Sequence, residues 1–137
     1  MRFPVVLLAL IAAAIAVAVP AGAKAPIQVK IQHATHGCHT WSVANNTSAA
    51  TQRLHARTGT AFTFTNNDVM PHLLVQLSGP RVALHLPRMG HMGATTQLTL
   101  LKPGTYRFTT KAGEDYPGVH VTTIGEDNVL RLTVVVS

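Results

Sequence analysis

Apolar and polar residues alternate in short runs along most of the chain, the period-two signature of strands with one buried face. Residues 27–32 read Ile-Gln-Val-Lys-Ile-Gln and residues 61–64 read Ala-Phe-Thr-Phe; both predict half-buried strands. Residues 72–77 predict another, after the break at Asn66-Asn67-Asp68 and before the turn Ser78-Gly79-Pro80. In 95–101 Thr and Gln alternate with Leu98 and Leu100. Lys102-Pro103-Gly104 then turns, and 105–109 return as the second arm of a hairpin. A short strand over 119–124 and a β-branched closing strand over 129–136 complete the set. The Asn-, Thr-, Ser- and Ala-rich stretch 42–52 predicts an exposed loop, as do 88–93 with its two glycines and 111–117. No helical period and no solenoid-length repeat is present. The predicted class is an all-β, Greek-key β-sandwich.

One apolar run does not fit this scheme. Arg2 is followed by an unbroken apolar segment over 3–19, then Pro20 and the small residues Ala21-Gly22-Ala23. A basic start, an apolar segment and an A-x-A end form the pattern of a secretory signal peptide. The run is close to the length of a membrane anchor, but the proline and small residues sit where a peptidase needs them. Residues 1–23 are therefore expected to be removed, leaving one exported domain, 24–137, in the periplasm or outside the cell. No second long apolar run follows, so no membrane span is expected after cleavage.

Composition narrows the function. Charged residues make up 12% of the 137-residue chain and hydrophobic ones 47%, which argues against disorder. The single cysteine, Cys38, rules out an intrachain disulfide framework. Without Arg2, ten Lys and Arg stand against five Asp and Glu, a net charge of +5. Such a charge suits anionic surfaces. It is scattered singly, without the aromatic-interleaved stripe that nucleic-acid binding prefers, so no nucleic-acid partner is expected. No nucleophile with a base at motif spacing and no patterned carboxylate pair points to an enzyme.

Eight histidines remain to be explained. Gly59-Thr-Ala-Phe-Thr-Phe-Thr-Asn-Asn-Asp68, His72 four residues later, and Pro103-Gly-Thr-Tyr-Arg-Phe108 follow one another in that order. Together they resemble the cupredoxin family, small Greek-key sandwiches that hold copper at one end. The resemblance implies a copper ligand at His72. It also implies a ligand cysteine two residues past Phe108, where this chain has Thr110. The family's usual blue site is therefore absent as such, and Cys38 is the one thiol that could serve a copper site.

The family topology would carry 33–41, His72, 89–92 and 111–120 to one rim. Six of the eight histidines, Cys38 and the methionines Met70, Met89 and Met92 lie in or beside these segments, with His55 and His85 outside. Thiolate, imidazole and thioether donors together suit copper, above all Cu(I). The expected ligand set is Cys38, His72 and His91, with Met92 as a weak or alternative ligand and His39 as a further candidate. His36, His120 and Met89 are alternatives to these. Competing readings make Cys38 an inert small core residue, Trp41 a packing residue and His33 an inward, hydrogen-bonded histidine. The function implied is an exported copper-binding protein acting in one-electron transfer or copper handling, with a redox or copper-trafficking protein as partner. The alternative is a metal-free module that binds an acidic protein, a polymer or a membrane surface.

Overall fold

The computed structural model describes residues 24–34, 38–44, 48–112 and 129–137. Among these, nine strands and no helix form: β1 (Ile27–Ala34), β2 (Cys38–Val43), β3 (Thr51–Ala56), β4 (Thr60–Asn67), β5 (His72–Ser78), β6 (Arg88–Met89), β7 (Thr95–Leu100), β8 (Gly104–Ala112) and β9 (Arg131–Val136). The expected signal segment 1–23, the expected strand 119–124, His36 and His120 lie outside the described residues. No helix among the described residues is long and apolar enough to cross a membrane.

The strands build two mixed sheets, ordered β2-β1-β4-β7 and β3-β9-β8-β5-β6. β1 runs parallel to β4, with Ile31 opposite Asn66, so both strands end at the same rim. β3 runs parallel to β9, and the other pairings are antiparallel. This is an all-β sandwich of two mixed sheets.

Six expected strands overlap observed ones or lie within them. The expected loop over 42–52 is corrected: Ser42 and Val43 belong to β2, and Thr51 and Gln52 to β3. β3 has no fully buried residue, and only Gln52, Leu54 and Ala56 are half-buried. It is a strand because its backbone joins the ladder of β9 at the sheet edge, which hydrophobic periodicity does not report. Likewise Arg88 and Met89, expected in a loop, pair with Leu73 and His72.

The inner faces follow the period-two rule. Val29 and Ile31 of β1, Trp41 and Val43 of β2, and Phe62 and Phe64 of β4 are buried. They face Leu74, Tyr106, Phe108, Leu132, Val134 and Val136 of the other sheet, and all belong to one core. Phe64 links Trp41 (ring centroids 6.1 Å apart) to Phe108 (6.0 Å) across the sandwich. At the rim where β1 and β4 end, the same inward positions stop being apolar.

Candidate metal centre

Continuing each inward register by one step places polar side chains at that rim. On β2 the series Val43, Trp41 ends in His39. On β4 the series Phe62, Phe64 continues to Asn66 and then to Asp68, just past the strand. On β5 the inward position before Leu74 is His72. His39, Asn66, Asp68 and His72 are all buried. A core pattern thus closes on a polar cluster, and burial at that place requires every polar atom to be matched.

Asn66 provides the frame. Its side-chain N–H groups donate to the carbonyls of Met70 (2.7 Å) and Met89 (3.1 Å), and its Oδ1 accepts the Asp68 N–H at 2.9 Å. Its backbone accepts from Gly93 and donates to Ala94. One asparagine therefore ties together the 68–70 loop, β6 and the turn before β7.

Asp68 is the hub. The His39 Nδ1–H donates to Asp68 Oδ2 at 2.6 Å, and the His72 Nε2–H donates to the same oxygen at 3.1 Å. With its proton on Nε2, His72 accepts at Nδ1 from the Thr110 hydroxyl at 3.2 Å. This tautomer follows from the network. The two imidazoles meet edge to face, with centroids 4.7 Å apart and planes at 87°. The other carboxylate oxygen, Oδ1, accepts the Met70 N–H at 3.4 Å and lies 3.7 Å from Nδ1 of His33. Burial alone would raise the Asp68 carboxyl. The hydrogen bonds from His39 and His72, the charge at His39 and the Met70 N–H outweigh it and hold the carboxyl well below the usual carboxylate range.

The expected donors fall into three groups. His39 and His72 are brought together around one oxygen. Cys38 opens β2 with its backbone paired to Ala34, and its side chain lies outside the described residues. His91 and Met92 are exposed on the turn tied to Asn66, and His91 Nδ1 donates to the Met92 carbonyl at 3.0 Å. Met89, by contrast, is fully buried and is the cross-strand partner of His72. His33 is exposed at the rim, on the same sheet face as its cross-strand partner His39. Trp41 is fully buried, as a packing residue would be.

Asp68 is the donor that the sequence reading passed over. Its signal was present in the Asn-x-Asp spacing and in the three residues separating it from His72. An Asn-Asn-Asp run reads first as turn chemistry, and only the folded register shows that Asp68 faces inward.

The donors present fit a metal ion. One ring nitrogen of each histidine and one Asp68 oxygen lie within 4.8 Å of one another. Donors bound to one ion at roughly 2.0–2.2 Å sit about 3–4 Å apart, so a small outward shift suffices. Two imidazoles and a carboxylate suit a borderline divalent ion such as Cu(II) or Zn(II), and a thiolate would add affinity for copper.

No family model matches the sequence, and none of the curated proteins compared with it matches. Among solved structures, the chain is similar to a reduced mutant of amicyanin at 21% identity, covering 85% of this chain and 87% of that chain, with a TM-score of 0.46. It is also similar to a Cu(I) form of another amicyanin mutant, at 20% identity with the same coverage and TM-score. A purple cupredoxin from Nitrosopumilus maritimus matches at 19% identity, over 80% of this chain and 98% of that chain, with a TM-score of 0.48. The fold's class is carried by this chain's own strand order, with β1 parallel to β4 and both ending at the His39–Asp68–His72 rim. It is an all-β sandwich of two mixed sheets, with a polar cluster at that rim unlike the His, Cys, His and Met set of a blue copper site.

Proposed function

We propose that this chain is an exported copper-binding protein of cupredoxin-like fold, acting in one-electron transfer or copper handling outside the cytoplasm. The observation that carries the reading is the convergence of His39 Nδ1 and His72 Nε2 on one buried oxygen of Asp68. His39 and His72 would hold the ion with Asp68 as oxygen donor. Cys38, next to His39 in β2, is the proposed thiolate. His91 and Met92 are proposed as outer donors, because their turn is bonded to Asn66. Copper bound here would supply a one-electron couple or a transferable cargo. A redox or copper-trafficking protein is the partner this reading implies.

The chain's own part is to bind and to fix protonation states. Metal ligands must offer a lone pair. His72 therefore has to move its proton from Nε2 to Nδ1, where Thr110 Oγ1 is placed to accept it. His39 likewise has to release the proton on Nδ1. Asp68 arrives already ionised, because the same contacts hold its carboxyl low.

A second reading is favoured by the closure of the same network. The buried carboxylate already has two imidazole N–H partners, so the cluster is self-satisfied as a structural polar knot in a metal-free binding module. The two readings separate on copper titration of protein kept reduced at Cys38. The metal reading expects retention after desalting in the wild type and its loss in His39→Ala/His72→Ala. No retention by the wild type leaves the structural knot.

A further inference from the structure

The trio is closed off from solvent. Side-chain exposure is 3% at His39 and 0% at Asp68 and His72. The cleft of about 490 Å³ lined by Phe62, Leu98, Tyr106, Arg81 and Lys102 includes none of the three, nor does the one beside His55 and Arg57. A site so placed needs a side chain that touches both water and the cluster.

His33 meets that requirement. Its side chain is 60% exposed, yet its Nδ1 lies 3.7 Å from Asp68 Oδ1. It is the cross-strand partner of His39 and stands at the rim end of β1. The two carboxylate oxygens divide the contacts, with Oδ2 facing the buried imidazoles and Oδ1 reaching toward the exposed one. At 3.7 Å the His33 contact is beyond hydrogen-bond range, so no bond has to break before the ring turns to solvent. Neutral imidazole is a good ligand for divalent copper or zinc.

Resting on the metal-site reading above, we propose that His33 is the loading ligand of the buried centre. It captures a divalent ion from water and hands it to Asp68 Oδ1, from which His39 and His72 take it in. The transfer is ligand exchange. The His33 Nδ1 bond to the ion breaks as the Asp68 Oδ1 bond forms, bound waters leave, the His39 Nδ1 proton passes to solvent, His72 shifts its proton to Nδ1, and no electron moves. His33 therefore sets the rate of filling and not the final occupancy.

The test is the time course of Cu(II) uptake by the metal-free mature protein. It is read by native mass spectrometry after rapid desalting, for wild type, His33→Ala, His33→Gln and the remote exposed control His55→Ala. The expected result is uptake slowed at least about tenfold, the scale at which partners of metal ligands act, in both His33 variants. Final copper content should be unchanged, and His55→Ala should behave as wild type. Two folded variants at an exposed position guard against a folding artefact, checked by circular dichroism. A smaller slowing overturns the proposal. Loss of final copper in the His33 variants also overturns it, because His33 would then be a ligand of the finished site. If the wild type itself takes up no copper, the metal-site reading falls and the loading role falls with it.

Discussion

His39 Nδ1 lies 2.6 Å from Asp68 Oδ2, although the two are 29 positions apart in the chain, and both are buried. This contact joins the edge strand β2 to the loop after β4, and His72 closes it from the other sheet. A buried carboxylate is tolerated only when it is matched. At about 1.5–3 kcal/mol for each hydrogen bond to a charged group, Asp68→Ala is expected to cost the metal-free protein several kcal/mol, read as a lower denaturant midpoint.

The pH dependence of that stability has a defined sign. The Asp68 carboxyl is held low in the folded state, against about 3.9 in an unfolded chain. Its contribution is therefore full above about pH 4 and fades as pH falls further, because the unfolded state takes up the proton first. Asp68→Asn removes this titration. The stability gap between wild type and Asp68→Asn should be flat from neutral pH down to about 4 and should narrow below it. A gap that narrows instead as pH rises through neutrality would contradict the assignment.

Trp41 reports on the site. It is the chain's only tryptophan, fully buried, and two residues from His39 on the same face of β2. Two residues along a strand span roughly 6.5 Å, well within reach of quenching by a paramagnetic ion. Cu(II) titration is expected to quench Trp41 emission to a plateau, while Zn(II) leaves its intensity nearly unchanged. Emission insensitive to Cu(II) would place the metal elsewhere.

Thr110 occupies the position where the family resemblance implies the ligand cysteine, and its hydroxyl lies 3.2 Å from His72 Nδ1. With the ion held at Nε2, this hydroxyl is the partner of the proton moved to Nδ1. Thr110→Val, which removes that partner, is expected to weaken Cu(II) binding by about tenfold, while Thr110→Ser keeps it. Equal Cu(II) affinity in the two variants would show that position 110 does not support the metal-binding tautomer of His72.

The sandwich itself can be probed away from the rim. Gly79 follows β5 with φ at +105°, and a Cβ there would lie 2.5 Å from the Thr105 carbonyl oxygen and 2.9 Å from the Tyr106 Cα. Both neighbours are backbone of β8, so neither can yield cheaply. Gly79→Ala is expected to destabilise the protein by more than about 1 kcal/mol, seen in chemical denaturation, with little effect on the cluster.

The sequence carried the fold further than the site. β7 and β9 were legible because their burial alternates with period two, as Leu98 and Leu100 or Leu132, Val134 and Val136 show. β3 was not, because Thr51–Ala56 is held by an edge ladder and has no buried residue to mark a face. His72 was legible from the spacing after Asp68, and His39 from its place in the His36-Gly37-Cys38-His39 run. Asp68 was hidden because an Asn-Asn-Asp run has the same composition in an exposed turn and in a buried clasp. Only the register that sends Asn66 and Asp68 inward separates the two. Met89 was hidden for a related reason: two glycines mark its segment as loop, while its pairing with His72 depends on how β5 folds back on it.

The central claim is that His39, Asp68 and His72 hold a metal ion. The most direct measurement is the copper content of protein purified from its native compartment, compared with His39→Ala/His72→Ala prepared in the same way. Near-stoichiometric copper in the wild type, lost in the double variant, is the predicted result. Equal copper content in the two proteins, or none in the wild type, would contradict it.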